Sequence, residues 1–162
     1  MTVLDGIERI IEQFSQQNLT IAFAESCTGG FLSHMITNVS GSSMVFDRGV
    51  VSYSNQAKME ILNVNSESIE KNGAVSRSVA YQMANNIRDL SHVNIGIGVT
   101  GIAGPTGGTP EKPVGLVFIG FSTQIKNDIN TFVDRYVFKT SRIGFKKKVL
   151  RKVLSFLEEF IS

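Results

Sequence analysis

"LTIAFAESCTGG", Leu19 to Gly30, runs from an apolar hexapeptide into a polar turn that ends in two glycines. The hexapeptide reads as a short buried strand, and the run after the glycines, "FLSHMITNV", reads as a helix. A strand that turns into a helix is the repeating step of an α/β sheet, whose ligands bind at the carboxyl ends of strands. "AESCTGG" therefore falls at a ligand-binding position, and it sets Glu25, Ser26, Cys27 and Thr28 side by side. The unpaired amides of a helix N-terminus, with Gly29 and Gly30 allowing close approach, suit an anion or an oxyanion. The competing reading is local: Ser26 or Thr28 only caps the helix and the glycines only make the turn.

Upstream, Val3, Leu4, Ile7, Ile10, Ile11 and Phe14 recur at helical spacing, so the chain opens helix then strand. Downstream, "GSS" breaks the helix, "VFDRGVVSYS" returns to strand character, and "NQAKMEILNV" is helical. "SESIEKNGAVS" holds a short helix that Gly73 can end, and Ser76 can cap the next, "RSVAYQMANNIRDL". "NIGIGVT" is a third strand, and "GIAGPTGGTPEK" is too rich in glycine and proline for anything but a loop. "PVGLVFIGFS" and "NTFVDRYVF", joined by the polar "TQIKNDI", read as an antiparallel hairpin, and an amphipathic helix runs from about Ser141 to Phe160. The expected fold is a three-layer α/β sandwich, a mixed sheet of about five strands with helices on both faces, in one domain spanning residues 1–162.

Composition narrows the function classes. With 42% apolar and 19% charged residues and no apolar run near the roughly 20 residues of a membrane span, the chain reads as globular and not as a membrane protein. Acidic residues within the first amphipathic helix argue against a signal peptide, and a lone cysteine, Cys27, suits a reducing cytoplasm. A net charge of +2 is too small to imply nucleic acid, and the basic cluster Lys146–Lys148, Arg151 and Lys152 alternates with apolar residues as a solvated helix face does. His34 and His92 are the only histidines and have no acidic or thiol neighbours at ligand spacing, so no metal site is expected. "GIGVTG", Gly96 to Gly101, matches the dinucleotide pattern, but the glycines and prolines after it forbid the helix that would hold a pyrophosphate.

Scarce histidine leaves a serine hydrolase in need of another base, and lysine is the usual substitute. Lys58 stands early in the helix that starts near Asn55, where the dipole and partial burial would lower its pKa; an ordinary solvated lysine is the simpler reading of the residue alone.

Six blocks, "AESCTGG", "GSS", "GVVSYSNQAK", "NGAVS", "TGIAGPTGGTPEKPVG" and the late Arg142, occur in an order that resembles the CinA C-terminal family over about residues 3–160. The family includes stand-alone nicotinamide mononucleotide deamidases. The resemblance implies a nicotinamide-nucleotide amidase that yields nicotinic acid mononucleotide and ammonia in pyridine nucleotide salvage, by a serine-lysine mechanism without metal or other cofactor. It implies Ser26 as nucleophile, Lys58 as base, Tyr53 and Thr100 as supporting catalytic residues, and a homodimer. Thr28, Gly29, Gly30 and Gly101 are then expected around the oxyanion and substrate, and Arg142, with Ser42 and Ser43, at the substrate phosphate. Thr140 and Ser141 stand where the family often has a glycine and an acid. Larger relatives carry an N-terminal molybdopterin-binding-like domain, and their pyrophosphatase activity is not expected of this chain. One alternative is a non-catalytic nucleotide-binding or competence-associated module, against which the joint presence of Ser26, Tyr53, Lys58 and Thr100 argues, because binding alone requires neither a serine nor a base. The other is a thiol hydrolase using Cys27; neighbouring helical residues diverge by about 100°, so Cys27 is expected to point away if Ser26 points into the site.

Overall fold

Side chains alternate between large and small along the central strands, and different helices cover the two faces so formed. The computed structural model describes residues 1–162 and contains α1 (Val3–Gln16), β1 (Ile21–Glu25), α2 (Phe31–Thr37), a single 3-10 turn (Ser42–Met44), β2 (Phe46–Val51), α3 (Asn55–Leu62), α4 (Ser66–Asn72), α5 (Arg77–Ser91), β3 (Ile95–Gly101), β4 (Leu116–Ile125), β5 (Asp128–Val137) and α6 (Arg142–Ile161). The strands form one sheet in the order β2-β1-β3-β4-β5. β1 runs parallel to β2 and β3, and β3, β4 and β5 pair antiparallel. The α/β sandwich expected from the sequence is the observed architecture.

Period-two alternation sends Ile21 and Phe23 of β1, Ile95, Ile97 and Val99 of β3, and Val117, Ile119 and Phe121 of β4 into a large core shared with α1, α2 and α6. Ala22 and Ala24 face the other way, into a smaller core with Leu62 of α3 and Val79, Met83 and Ile87 of α5. The corresponding positions are Gly96 and Gly98 in β3, and Ser122 and Gly120 in β4. A Cβ on Gly98 would lie 2.6 Å from the Ala84 nitrogen and 2.7 Å from Met83 Cβ, and at Gly96 and Gly120 it would overlap the carbonyl oxygens of Ala84 and Ala80. The glycines at 96 and 98 in "GIGVTG" thus seat α5 directly on the sheet. Gly98→Ala is expected to destabilise the protein by about 2–3 kcal/mol, because rigid helix backbone must move away. A urea midpoint equal to that of the parent protein would contradict this.

Gly73 ends α4 at φ 77°, and the Ser76 hydroxyl caps α5 by accepting from the Val79 amide, both as the sequence suggests. The hairpin differs from expectation. β4 continues to Ile125 and β5 begins at Asp128, so most of the polar "TQIKNDI" is strand and only Lys126–Asn127 turns, with Lys126 at φ 56°. Lys126 to Asn130 are exposed, and polar side chains there do not oppose ladder pairing.

The chain leaves β1 through α2 on one face and reaches β3 through α5 on the other, so connections diverge between β1 and β3. A crevice opens at such a switch point, beyond the carboxyl ends of the two strands.

Candidate active site

β1 ends at Glu25, but its ladders run one residue further on both sides. The Ser26 amide donates to the Val99 carbonyl at 3.1 Å, and the Ser52 amide donates to the Glu25 carbonyl at 2.8 Å. Strand alternation therefore persists into the turn: Glu25 faces α2, Ser26 faces α3, and Cys27 returns to the large core. Ser26 and Cys27 do diverge, but through strand geometry and not helical geometry, because α2 starts only at Phe31. Burial pushes the Cys27 thiol up to about 12.

The Ser54 hydroxyl caps α3 by accepting from the Ala57 amide at 3.0 Å, and the fourth residue of that helix, Lys58, lies under the end of β1. Lys58 is 2% exposed. Its Nζ is 3.0 Å from Ser26 Oγ and donates to the carbonyls of Ser52 at 2.9 Å and Tyr53 at 3.4 Å. No carboxylate pairs with it, and burial lowers its pKa from the ordinary value. A neutral amine has two N–H groups and one lone pair. In that neutral form the two carbonyls would take the N–H groups and the lone pair would be left for the Ser26 hydroxyl proton.

Glu25 is fully buried and occupies the N-terminus of α2 itself. One carboxylate oxygen accepts from the Gly30 and Leu32 amides, each at 3.1 Å, and the other accepts from the Ser33 amide at 2.9 Å and the Ser33 hydroxyl at 2.8 Å. The N-cap is Gly30, at φ 95° and without a side-chain bond, so neither Ser26 nor Thr28 caps this helix. The expected oxyanion amides are consequently redistributed. Gly30 donates to Glu25, and Gly29 donates to the Ser26 carbonyl at 3.0 Å. The amides of Cys27 and Thr28 donate to no protein acceptor, and the buried Thr28 Oγ1 has no partner either. Glu25→Gln replaces an acceptor oxygen with a donor facing N–H groups and is expected to destabilise the protein by about 3 kcal/mol, read as a lowered urea midpoint.

Ser26, Tyr53, Lys58, Thr100, Gly101 and Arg142 meet in one cavity of about 230 Å³ in the crevice between β1 and β3. Buried Thr100 spends its hydroxyl on the Ala74 carbonyl at 2.8 Å, tying the segment before α5 to the end of β3. Tyr53 contributes its carbonyl to Lys58 while its ring stands 65% exposed at the mouth. Arg142 opens α6 and donates from Nε to the Gly104 carbonyl at 2.8 Å, leaving both Nη groups without protein acceptors. Ser42 and Ser43 are not brought to this cavity: their 3-10 turn leads into the start of β2, at the amino end of the parallel strands. Cys27, Asn55, Ala74–Val75, Ile102–Gly104 and Thr106 complete the lining, so Cys27 borders the cavity as well as the large core; apart from Cys27, nothing in those residue types marks them individually in the sequence. No three His, Cys, Asp or Glu side chains gather as a metal ligand set.

Fold and cavity together define an α/β domain with a buried serine-lysine pair at the carboxyl edge of its sheet. The chain belongs to the CinA C-terminal domain family, whose model matches residues 5–161. It is 47% identical over 154 residues, 93% of its length, to a protein of Thermoanaerobacter pseudethanolicus named for competence-damage induction, and 44% identical over 151 residues, 90% of its length, to a CinA-like protein of Prochlorococcus marinus. It spans only 37% and 36% of those relatives. Among solved structures it resembles competence/damage inducible protein CihA of Agrobacterium tumefaciens, with 37% identity, a TM-score of 0.92 and full coverage of both chains.

Proposed function

We propose that this domain is a serine-lysine amidohydrolase that converts nicotinamide mononucleotide to nicotinic acid mononucleotide and ammonia. The observation that carries the reading is the buried, carboxylate-free Lys58 amine 3.0 Å from Ser26 Oγ within the cavity. A lysine stripped of water and unpaired is a poor structural element and a good general base.

In this reading Ser26 Oγ attacks the carboxamide carbon while Lys58 takes its proton. The unspent amides of Cys27 and Thr28 follow the nucleophile directly and offer donors to the tetrahedral oxyanion. Lys58 then delivers the proton to the leaving nitrogen, ammonia departs, and a nicotinoyl ester remains on Ser26. Water, deprotonated by Lys58, cleaves the ester and restores the serine. The exposed Tyr53 ring offers its face to the cationic pyridinium. Arg142, with two free Nη groups, suits the phosphate.

Purified protein is expected to release ammonia from nicotinamide mononucleotide, and much less from nicotinamide or its riboside, because a remote anion supplies binding energy that orients the amide. Absence of ammonia with all three compounds would refute the proposal.

A further inference from the structure

Lys146 differs from the other cations of the α6 basic cluster. Lys148 and Lys152 lie over the rings of Phe138 and Tyr136, 5.7 and 4.8 Å from the centroids, turned toward the end of β5. Lys146 is half-buried and turned the other way: its Nζ is 3.5 Å from where a Cβ on Gly29 would sit, beside the turn that carries Ser26. It has no hydrogen-bond partner and no acidic partner, although it follows Arg142 by one helical turn and shares its side of α6. Phe145 and Cys27 belong to the same buried core, which fixes this end of α6 against the β1–α2 turn.

A cavity of about 230 Å³ lies below the roughly 300–1,000 Å³ range of small-molecule sites. A mononucleotide whose amide reaches Ser26 therefore extends past the lining, which includes Arg142 but not Lys146, one helical turn further along α6.

We infer that Lys146 and Arg142 form a two-cation clamp that holds the phosphate monoester of the substrate over the first turn of α6. The assignment rests on the amidohydrolase reading for its substrate and adds a specificity residue to it. Arg142 supplies a planar pair of donors and Lys146 a mobile point charge, so the two grip different oxygens of one phosphate.

The test compares Lys146→Gln and Lys146→Arg with the unsubstituted protein by calorimetric binding of ribose 5-phosphate, and by kcat/KM on nicotinamide mononucleotide and nicotinamide riboside. Lys146→Gln is expected to weaken ribose 5-phosphate about tenfold, as loss of one charged hydrogen bond does, and to narrow the preference for the mononucleotide by a similar factor. Lys146→Arg is expected to restore both to within about threefold, which separates lost charge from lost packing. No binding of ribose 5-phosphate by the unsubstituted protein, an unchanged Kd in Lys146→Gln, or equal losses on mononucleotide and riboside would each overturn the clamp. If the unsubstituted protein hydrolyses neither amide, the amidohydrolase reading fails, and the ribose 5-phosphate comparison still decides the role of Lys146.

Discussion

Ser26→Ala is expected to lower kcat on nicotinamide mononucleotide by about 10⁴-fold or more, with nucleotide binding and melting temperature largely kept. Loss of a covalent nucleophile removes the acyl-enzyme route entirely, and what remains comes from the oxyanion donors and substrate positioning. Ser26 is anchored by its own amide on Val99, so removing one oxygen does not release the turn. Cys27→Ala supplies the contrast. The Cys27 thiol is pushed up to about 12, stays protonated near neutrality and packs in the core, so this variant should lose about 1 kcal/mol of stability and keep activity within a few-fold. An inactive Cys27→Ala beside an active Ser26→Ala would move the chemistry to sulfur.

Lys58→Arg is expected to be nearly as inactive as Lys58→Ala, with kcat/KM reduced by about 10²- to 10⁴-fold in both. Guanidinium keeps its proton at any usable pH, so a conserved positive charge does not conserve a base. The pH profile carries the same argument. Burial disfavours the ammonium and sets the folded pKa of Lys58 below its ordinary value. The reactive amine therefore grows as pH rises through that lowered value, and kcat/KM in the unsubstituted protein should climb with a one-proton slope and level off above it. Linkage gives the same sign for stability. Between the lowered folded pKa and the ordinary value near 10.4, the unfolded chain binds the extra proton, so stability gains with pH across that window. A flat profile, or a Lys58→Arg variant that keeps most of the activity, would reduce Lys58 to an electrostatic support.

The strand and turn at Leu19–Gly30 were legible because period-two hydrophobicity and paired glycines are local signals, and the order of strands and helices followed from the same kind of reading. Lys58 was legible as a position but not as a state: its lowered pKa comes from burial under β1, which is a tertiary fact. The amides around Thr28, Gly29 and Gly30 looked equivalent in sequence. Which of them is free depends on Glu25 folding back onto α2, a contact that residue types alone do not announce. Ser42 and Ser43 were placed by motif, and the parallel pairing of β2 with β1 carries them to the far end of the sheet. Lys146 was hidden in a basic run whose members look alike until the helix is rotated onto its neighbours.

The glycine seat beneath α5 has a consequence for anyone reading a mutational screen of this protein. Thr100 fastens the Ala74 segment, which lines the cavity, just ahead of the Ser76 cap that begins α5. A methyl group inserted at position 98 or 120 displaces the helix, and the first part of the site to feel that displacement is the cavity wall. Such alleles would score as loss of activity at temperatures where the chain is still folded. Sorted by phenotype alone, Gly98 and Gly120 would be filed among the catalytic positions although neither lines the cavity. Growth at lowered temperature should recover them and should not recover Ser26→Ala, so a cold-rescue screen would separate the positions that shape the site from those that react in it.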